Sequence, residues 1–166
     1  MANRTVPAVR QAIYAALTAP PLTYQINAGP TLTLPATSIQ NRPIWSAVAS
    51  GTEPPSPYVT FTVGGRGNIG RFTDERILDL KIWVSSTTSD DDVTEIYEAI
   101  RARLHLADQN GTDDGLGPQD LSRVAVAGAT LGVNVRECVE YRVLPAEFEK
   151  ASGRWYLSAV YTIVAN

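Results

Sequence analysis

The residues whose types could support chemistry are few and lie far apart along this chain. The segment Gly65-Arg66-Gly67-Asn68-Ile69-Gly70 matches the G-x-G-x-x-G string of dinucleotide-binding sites. Such a site needs a helix to begin at the last glycine, because the helix N-terminus holds the pyrophosphate. Here residues 71–76 lead into another predicted strand, so we interpret the segment as a loop between strands and expect no nucleotide.

A second candidate is an acidic segment after the central helix. Four of its side chains have the alternating spacing of a calcium loop: Asp108, Asn110, Thr112 and Asp114. The glycine required at the sixth position of such a loop is Asp113, and the bidentate glutamate at the twelfth is Gln119. We therefore interpret this segment as a solvated turn.

Nucleophilic chemistry would depend on Cys138 or His105, the only cysteine and the only histidine. A small enzyme that uses one of them is an alternative of a different class, although no glycine elbow or oxyanion signature accompanies either residue. Metal sites normally combine several His or Cys ligands. We accordingly expect no enzyme activity, no metal and no cofactor.

Composition favours a folded domain in a reducing, aqueous environment. The 166 residues, 44% of them hydrophobic, suffice for one domain spanning residues 1–166. A net charge of −3 and a pI near 5.1 argue against a grip on nucleic acid, which needs a basic face. A single cysteine forms no internal disulfide, and neither a signal peptide nor a membrane-length apolar span is visible.

The elements that would position these residues begin with a central β-β-α unit. Apolar residues alternate in the predicted strands 58–63 and 77–84, which is typical of half-buried strands. From Asp90 to Leu106 the apolar spacing becomes helical, after Ser89 as N-cap. We predict that the stripe formed by Val93, Ile96, Ile100 and Leu104 packs on the Leu78, Leu80, Ile82 and Val84 face of the second strand.

Further elements flank this unit. A helix is predicted from Thr5 to Thr18, and Pro20-Pro21 ends it. A Pro-rich extended passage follows at 22–57, with short strands at 22–26 and 31–34. Two C-terminal strands are predicted at 132–144, with Val135, Val139, Tyr141 and Val143 on one side, and at 154–164. The fold class is α+β: a mainly antiparallel sheet of about four or five strands packed with two helices.

The order of these pieces resembles that of the tail-terminator, or tail-completion, proteins of long-tailed bacteriophages, which also occur in gene-transfer particles. The resemblance rests on the N-terminal helix, the Pro-rich passage, the Pro57-Tyr58-Val59 string, the strand ending at Trp83-Val84, the acidic-capped helix and the final strand pair. The long 22–57 passage and the insertion at 107–118 depart from the family pattern.

The resemblance implies a structural virion protein. Members of the family form a ring, expected to be a hexamer, that caps the tail tube, ends its polymerisation and provides the head-joining surface. The implied partners are further copies of the chain, the tail tube protein and a head-completion or connector protein. The implied location is the head-proximal end of the virion tail, after assembly in the host cytoplasm. The alternatives within this class are a head-completion or a tail-tube subunit.

Two features predict where the chain meets a partner. The Gly64–Arg76 segment has four glycines and three of the fourteen basic residues. It is either a solvated hairpin tip or a loop that orders on assembly, its arginines pairing with carboxylates of the next subunit or the tube end. Trp83, in the second strand of the β-β-α unit, faces away from the core and needs cover from the Pro-rich passage or from another subunit. The predicted subunit or tube interface comprises Arg66, Asn68, Arg71, Asp74, Arg76 and Trp83.

Overall fold

The computed structural model describes residues 5–42, 55–68, 76–104 and 135–165. Within these ranges, two α-helices and eight strands form an α+β fold, which confirms the predicted class. The helices are α1 (Thr5–Thr18) and α2 (Asp90–Leu104). The strands are β1 (Leu22–Gln25), β2 (Thr31–Leu34), β3 (Ile39–Gln40), β4 (Tyr58–Asn68), β5 (Arg76–Ser86), β6 (Val135–Val143), β7 (Glu147–Glu149) and β8 (Arg154–Ala165).

The main sheet has more strands than predicted. Its order is β3-β4-β5-β8-β6, and β7 also pairs with β8 beyond the end of β6, so β6 and β7 follow each other along one side of β8. All pairs are antiparallel except β3 with β4. The short strands β1 and β2 form a separate antiparallel hairpin that packs near α2.

The core lies between one face of this sheet and the two helices. The inward residues Leu78, Leu80 and Ile82 of β5 are fully buried, as are Ile96 and Ile100 of α2. Helix α2 contacts β5, β8 and β6, whereas α1 contacts β3 and β4. The predicted packing of the α2 stripe on the β5 face is therefore confirmed.

Buried polar groups fix the start of α2. The Ser89 hydroxyl accepts a hydrogen bond from the Asp92 backbone N–H at 3.2 Å, as predicted for an N-cap. The Asp92 carboxylate is itself buried and accepts a hydrogen bond from the Ser86 hydroxyl. The Thr88 N–H donates to the same Ser86 oxygen at 3.1 Å. These bonds tie the turn after β5 to the first turn of α2.

One arginine joins the two helices. The Arg103 guanidinium on α2 donates hydrogen bonds to the carbonyl oxygens of Ala16 at 3.1 Å, Pro20 and Pro21 at 2.7 Å. Carbonyls at a helix C-terminus lack intrahelical donors, so this side chain satisfies groups that the prolines leave open. Burial lowers the pKa of Arg103.

The connection between β4 and β5 is shorter than predicted. Three of the four glycines assigned to a loop, Gly64, Gly65 and Gly67, lie in β4, and the pairing continues to Asn68 opposite Arg76. The register shifts between Gly65 and Gly67, so the strand contains a bulge there. Gly67 has a φ of +147°, which side-chain-bearing residues rarely adopt. The predicted bounds of the Gly64–Arg76 loop are therefore wrong at both ends. Its first residues pair as a bulged strand despite their glycines, and Arg76 begins β5.

The face assignment of β6 also changes. A strict two-residue period puts Val135, Val139, Tyr141 and Val143 on one side, but bulges lie between 135 and 137 and between 140 and 142. Val135 is consequently in register with Ala165 on the helix-facing side and is buried beside Cys138.

No α-helix in the described ranges has the length and apolar character needed to cross a membrane.

Candidate subunit interface

Of the described residues in the predicted interface, Arg66, Asn68 and Arg76 lie together at one end of the β4–β5 pair, whereas Trp83 lies apart from them. Arg66 and Asn68 are on β4 and Arg76 begins β5, so these three belong to strands rather than to a loop. Arg71 and Asp74 lie outside the described residues. Trp83 is seven residues along β5 from Arg76, or about 23 Å, and projects from the opposite face of the sheet.

Trp83 is partly covered by its own chain. It lies on the sheet face that α2 does not cover, in register with Thr60 and Ser158. A small cavity of about 210 Å³ borders its side chain. The cavity is also lined by Tyr156 and by Leu144, Pro145 and Glu147 around the β6–β7 connection. The β6–β7 connection is thus a neighbour of Trp83 that we did not predict.

Exposed apolar side chains concentrate along the β6–β7 side of the sheet. Among the described residues, six large hydrophobic side chains are exposed, and five of them fall within ten positions. Tyr141 is 69% exposed and Phe148 is 48% exposed. We call these five residues the edge cluster: Val139, Tyr141, Val143, Leu144 and Phe148. Contiguous exposed apolar residues, aromatic ones above all, mark protein–protein contact surfaces.

The β6 bulges set the face on which each β6 residue of the edge cluster lies. Val139 is in register with Thr162 on the face without helices, whereas Val143 is in register with Ala159 on the α2 side. Tyr141 is the residue that the second bulge leaves without a partner in the register. The sequence shows the apolar alternation of β6, but it does not indicate whether other parts of the protein cover those apolar side chains.

A groove separates α2 from the end of β6. Its volume is about 640 Å³, within the range of small-molecule pockets. Two members of the edge cluster contribute to it. We call this feature the α2 groove, which is lined by Asp90, Thr94, Tyr97, Glu98, Arg101, Glu140, Val143, Leu144, Pro145, Ala146 and Leu157.

A hydrogen-bonded network forms the floor of the α2 groove. The Tyr97 hydroxyl donates to Glu140 Oε2 at 2.5 Å and lies 2.8 Å from the Tyr161 hydroxyl. Arg101 Nε lies 3.3 Å from the same Glu140 oxygen. Burial, together with the bonded carboxylate, raises the pKa of Tyr97, and burial raises that of Tyr161. The tyrosines therefore stay protonated at neutral pH and hold β6, β8 and α2 together.

The geometry does not favour chemistry at the cysteine. Cys138 is fully buried, and burial raises the pKa of its thiol to about 12. A nucleophilic cysteine needs its thiolate form, which this environment disfavours. Gly65 and Gly67 of the dinucleotide-like string lie in a strand rather than before a helix. His105 and the predicted turn at 108–119 lie outside the described residues.

Comparison of the sequence with protein-family models and with curated proteins finds no match.

Proposed function

We propose that this protein is a tail-terminator-like subunit that associates with copies of itself into a ring, expected to be a hexamer, and caps a phage tail tube. The edge cluster is the observation that carries this proposal. It places five apolar side chains near one edge of the sheet, with Val139 and Val143 on opposite faces, where association would remove them from water.

The proposed mechanism is steric and adhesive. One face of the ring would match the last ring of the tail tube. The opposite face would lack the tube's own polymerising surface and would instead receive a head-completion or connector protein. No bond is made or broken in this role, so a well-packed core and a persistent contact surface are its physical requirements. The core between the sheet and the helices supplies the first and the edge cluster supplies the second.

The enzyme alternative receives less support from the structure. A cysteine-dependent reaction would need a thiolate that substrate can reach, whereas Cys138 has no exposed surface and a raised pKa. The tail-tube alternative uses the same edge cluster, and particle morphology separates it from a terminator. A tube subunit would polymerise into long tubes, whereas a terminator would stop at single rings.

The decisive experiment combines light scattering with negative-stain electron microscopy of the purified protein. We expect a discrete ring-sized assembly and rings without extended tubes. Tyr141→Glu should weaken association, because it places a charge in the apolar contact. The matched control is Leu32→Glu, since Leu32 on β2 is the sixth exposed hydrophobic residue and lies outside the edge cluster.

Tail assembly tests the capping role itself. Tails made without the protein should be variable in length and should fail to join heads, and adding the wild-type protein should restore both properties. A monomeric wild-type protein, or one whose addition leaves tail length unchanged, would argue against the proposal. Long tubes of the purified protein would favour the tail-tube alternative.

A further inference from the structure

The cavity beside Trp83 is formed over a small side chain. Trp83 on β5 is in register with Ser158 on β8, and Tyr156 is two positions from Ser158 along the same strand. These side chains share the sheet face that α2 does not cover, because residues two apart on a strand project to the same side. Beyond β8, the Leu144 N–H donates to the Ser158 carbonyl oxygen at 2.9 Å, so the β6–β7 connection begins there. The serine is too short to fill the space between the indole ring and this connection.

Two aromatic side chains and one carboxylate line this cavity. Glu147 on β7 is in register with Tyr156, so their side chains are neighbours on the same face. Burial raises the pKa of Tyr156 to about 12, and the hydrogen bond to Glu149 and the charges of Glu149 and Glu147 add to the shift. The tyrosine is therefore neutral at neutral pH, and the negative charge of the lining belongs to Glu147. Leu144 and Pro145 supply an apolar wall.

The Glu147 carboxylate has no basic partner within the described ranges. It forms no ion pair with another described residue, and no basic side chain is among the described residues that line the cavity. Arg154, on the same face of β8, has its guanidinium 5.2 Å from the centre of the Tyr58 ring. Lys81 and Arg142 are exposed and do not line the cavity. A cation that enters the cavity would therefore meet an unpaired carboxylate.

This lining matches the chemistry of an arginine side chain. A planar guanidinium stacks on aromatic rings and donates paired hydrogen bonds to a carboxylate, whereas the ammonium of lysine has no planar face. An apolar side chain would instead take the Glu147 carboxylate out of water without a partner, which is unfavourable. The contact of Arg154 with Tyr58 shows that this sheet face already holds one arginine over an aromatic ring.

The position of the cavity favours a partner protein as the source of the arginine. Leu144 lines the cavity and also belongs to the edge cluster, so a protein that covers the cluster lies next to the cavity. Glu147 and Pro145 are exposed, which leaves the cavity accessible from solvent. We propose that the cavity between Trp83 and the β6–β7 connection binds an arginine side chain of a partner protein, whose guanidinium stacks on Trp83 and pairs with Glu147. This inference goes beyond ring formation, because a protein other than a second copy can supply the arginine.

A titration of the full-length protein with capped amino acids tests this site. Nα-acetyl-L-arginine methylamide mimics an arginine within a chain. We expect it to shift the Trp83 indole N–H signal in NMR spectra, with a Kd on the order of 1–10 mM. The Trp83 signal is identified as the one that Trp83→Phe removes. The citrulline analogue keeps the shape without the charge, and the lysine analogue keeps the charge without the planar group. Each should bind at least about tenfold more weakly.

One substitution and its control locate the pairing. Glu147→Gln keeps the size of the side chain but removes its charge, and it should weaken binding of the arginine probe about fivefold or more. Glu147 is exposed, so we expect the variant to keep the wild-type amide spectrum. The matched control is Glu137→Gln, an exposed glutamate on the same sheet face that does not line the cavity, and it should bind like the wild type. Intermolecular nuclear Overhauser effects should connect the δ-methylene protons of the probe with the Trp83 ring.

Several outcomes would overturn the arginine site. If the arginine probe gives no saturable shift up to about 100 mM, the cavity is not a binding site for this group. Equal binding of the citrulline or the lysine analogue would show that the charge or the planar group is not recognised. Unchanged binding to Glu147→Gln would show that the carboxylate takes no part. If free arginine binds more tightly than the capped probe, the ligand is an amino acid and not a protein side chain. Ring formation is measured separately by light scattering and does not depend on these results.

Discussion

The two strands that flank β8 both carry apolar residues, but these residues are buried in β5 and exposed in β6. On one side, Leu78 and Leu80 of β5 are fully buried beneath α2. On the other side, Val139 and Tyr141 of β6 are exposed. The difference arises from position and register, since β5 lies inside the sheet whereas β6 lies beside only one described strand and contains two bulges. An apolar pattern thus indicates a surface that must be covered, and the covering group can be another molecule.

The largest effect should come from the buried side of this comparison. Ile96→Ala leaves a cavity under α2, and we expect it to lower the free energy of unfolding by about 2–5 kcal/mol. Denaturant melts measure the change. Thr94→Ala, at an exposed position on the same helix, is the control and should change stability by less than about 0.5 kcal/mol. A similarly small loss for Ile96→Ala would mean that the stripe does not face the sheet.

The connection between the helices should give the next largest effect. Arg103→Ala removes the donors to carbonyls at the end of α1 and should cost about 1–3 kcal/mol of unfolding free energy. Arg103→Lys keeps the charge but not the planar set of donors, so it should recover only part of the loss. Equal stability of the alanine variant and the wild type in denaturant melts would show that water replaces these bonds without cost.

Much of the fold could be predicted because its signals are local. The two-residue alternation around Leu80, the helical spacing around Ile96 and the Ser89 cap each depend on neighbouring residues, and all three predictions are confirmed. The extent of β4 could not be predicted, because its glycines suggest a loop while their pairing depends on the distant β5. The main sheet has six strands, against about four or five predicted, because β3 and β7 have only two and three residues and give little local signal.

The candidate site was less predictable, because burial depends on contacts between distant parts of the chain. The two bulges in β6 shift the side chains after Val135 and Glu140, and the two-residue period gives no sign of them. The α2 groove joins residues about fifty positions apart, such as Asp90 and Glu140, so spacing alone could not reveal it. Trp83 was correctly placed on the face away from α2, whereas the cavity that it shares with the β6–β7 connection was not predicted.

The dependence of unfolding free energy on pH should show the effect of burying the Cys138 thiol of β6. Burial raises the pKa of Cys138 from 9.0 to about 12, so the folded protein retains a proton that the unfolded chain loses in this range. Stability from this group is fully present below pH 9 and is lost as the pH rises toward 12. Linkage predicts a loss of about 1 kcal/mol between pH 9 and pH 10. Cys138→Ala should flatten the slope of unfolding free energy in that interval, and an unchanged slope would assign it to other groups.

The smallest effect on folding should be at the edge cluster. Tyr141 is 69% exposed, so we expect Tyr141→Ser to change the unfolding free energy by less than about 0.5 kcal/mol in dilute protein. The buried counterpart Tyr161→Ser should cost several times more, because Tyr161 packs in the core and bonds to Tyr97.

The dependence of melting temperature on protein concentration then tests whether Tyr141 contributes to self-association. Association with the folded state stabilises it by mass action, about 2.7 kcal/mol when the partner concentration is one hundred times Kd. Wild-type melting temperature should therefore rise with concentration, whereas that of Tyr141→Ser should rise less, although the two proteins melt together when dilute. If Tyr141→Ser lowers the unfolding free energy by more than about 1.5 kcal/mol in dilute protein, the wild-type Tyr141 ring packs on its own chain. Tyr141 would then not be part of a contact surface for another molecule.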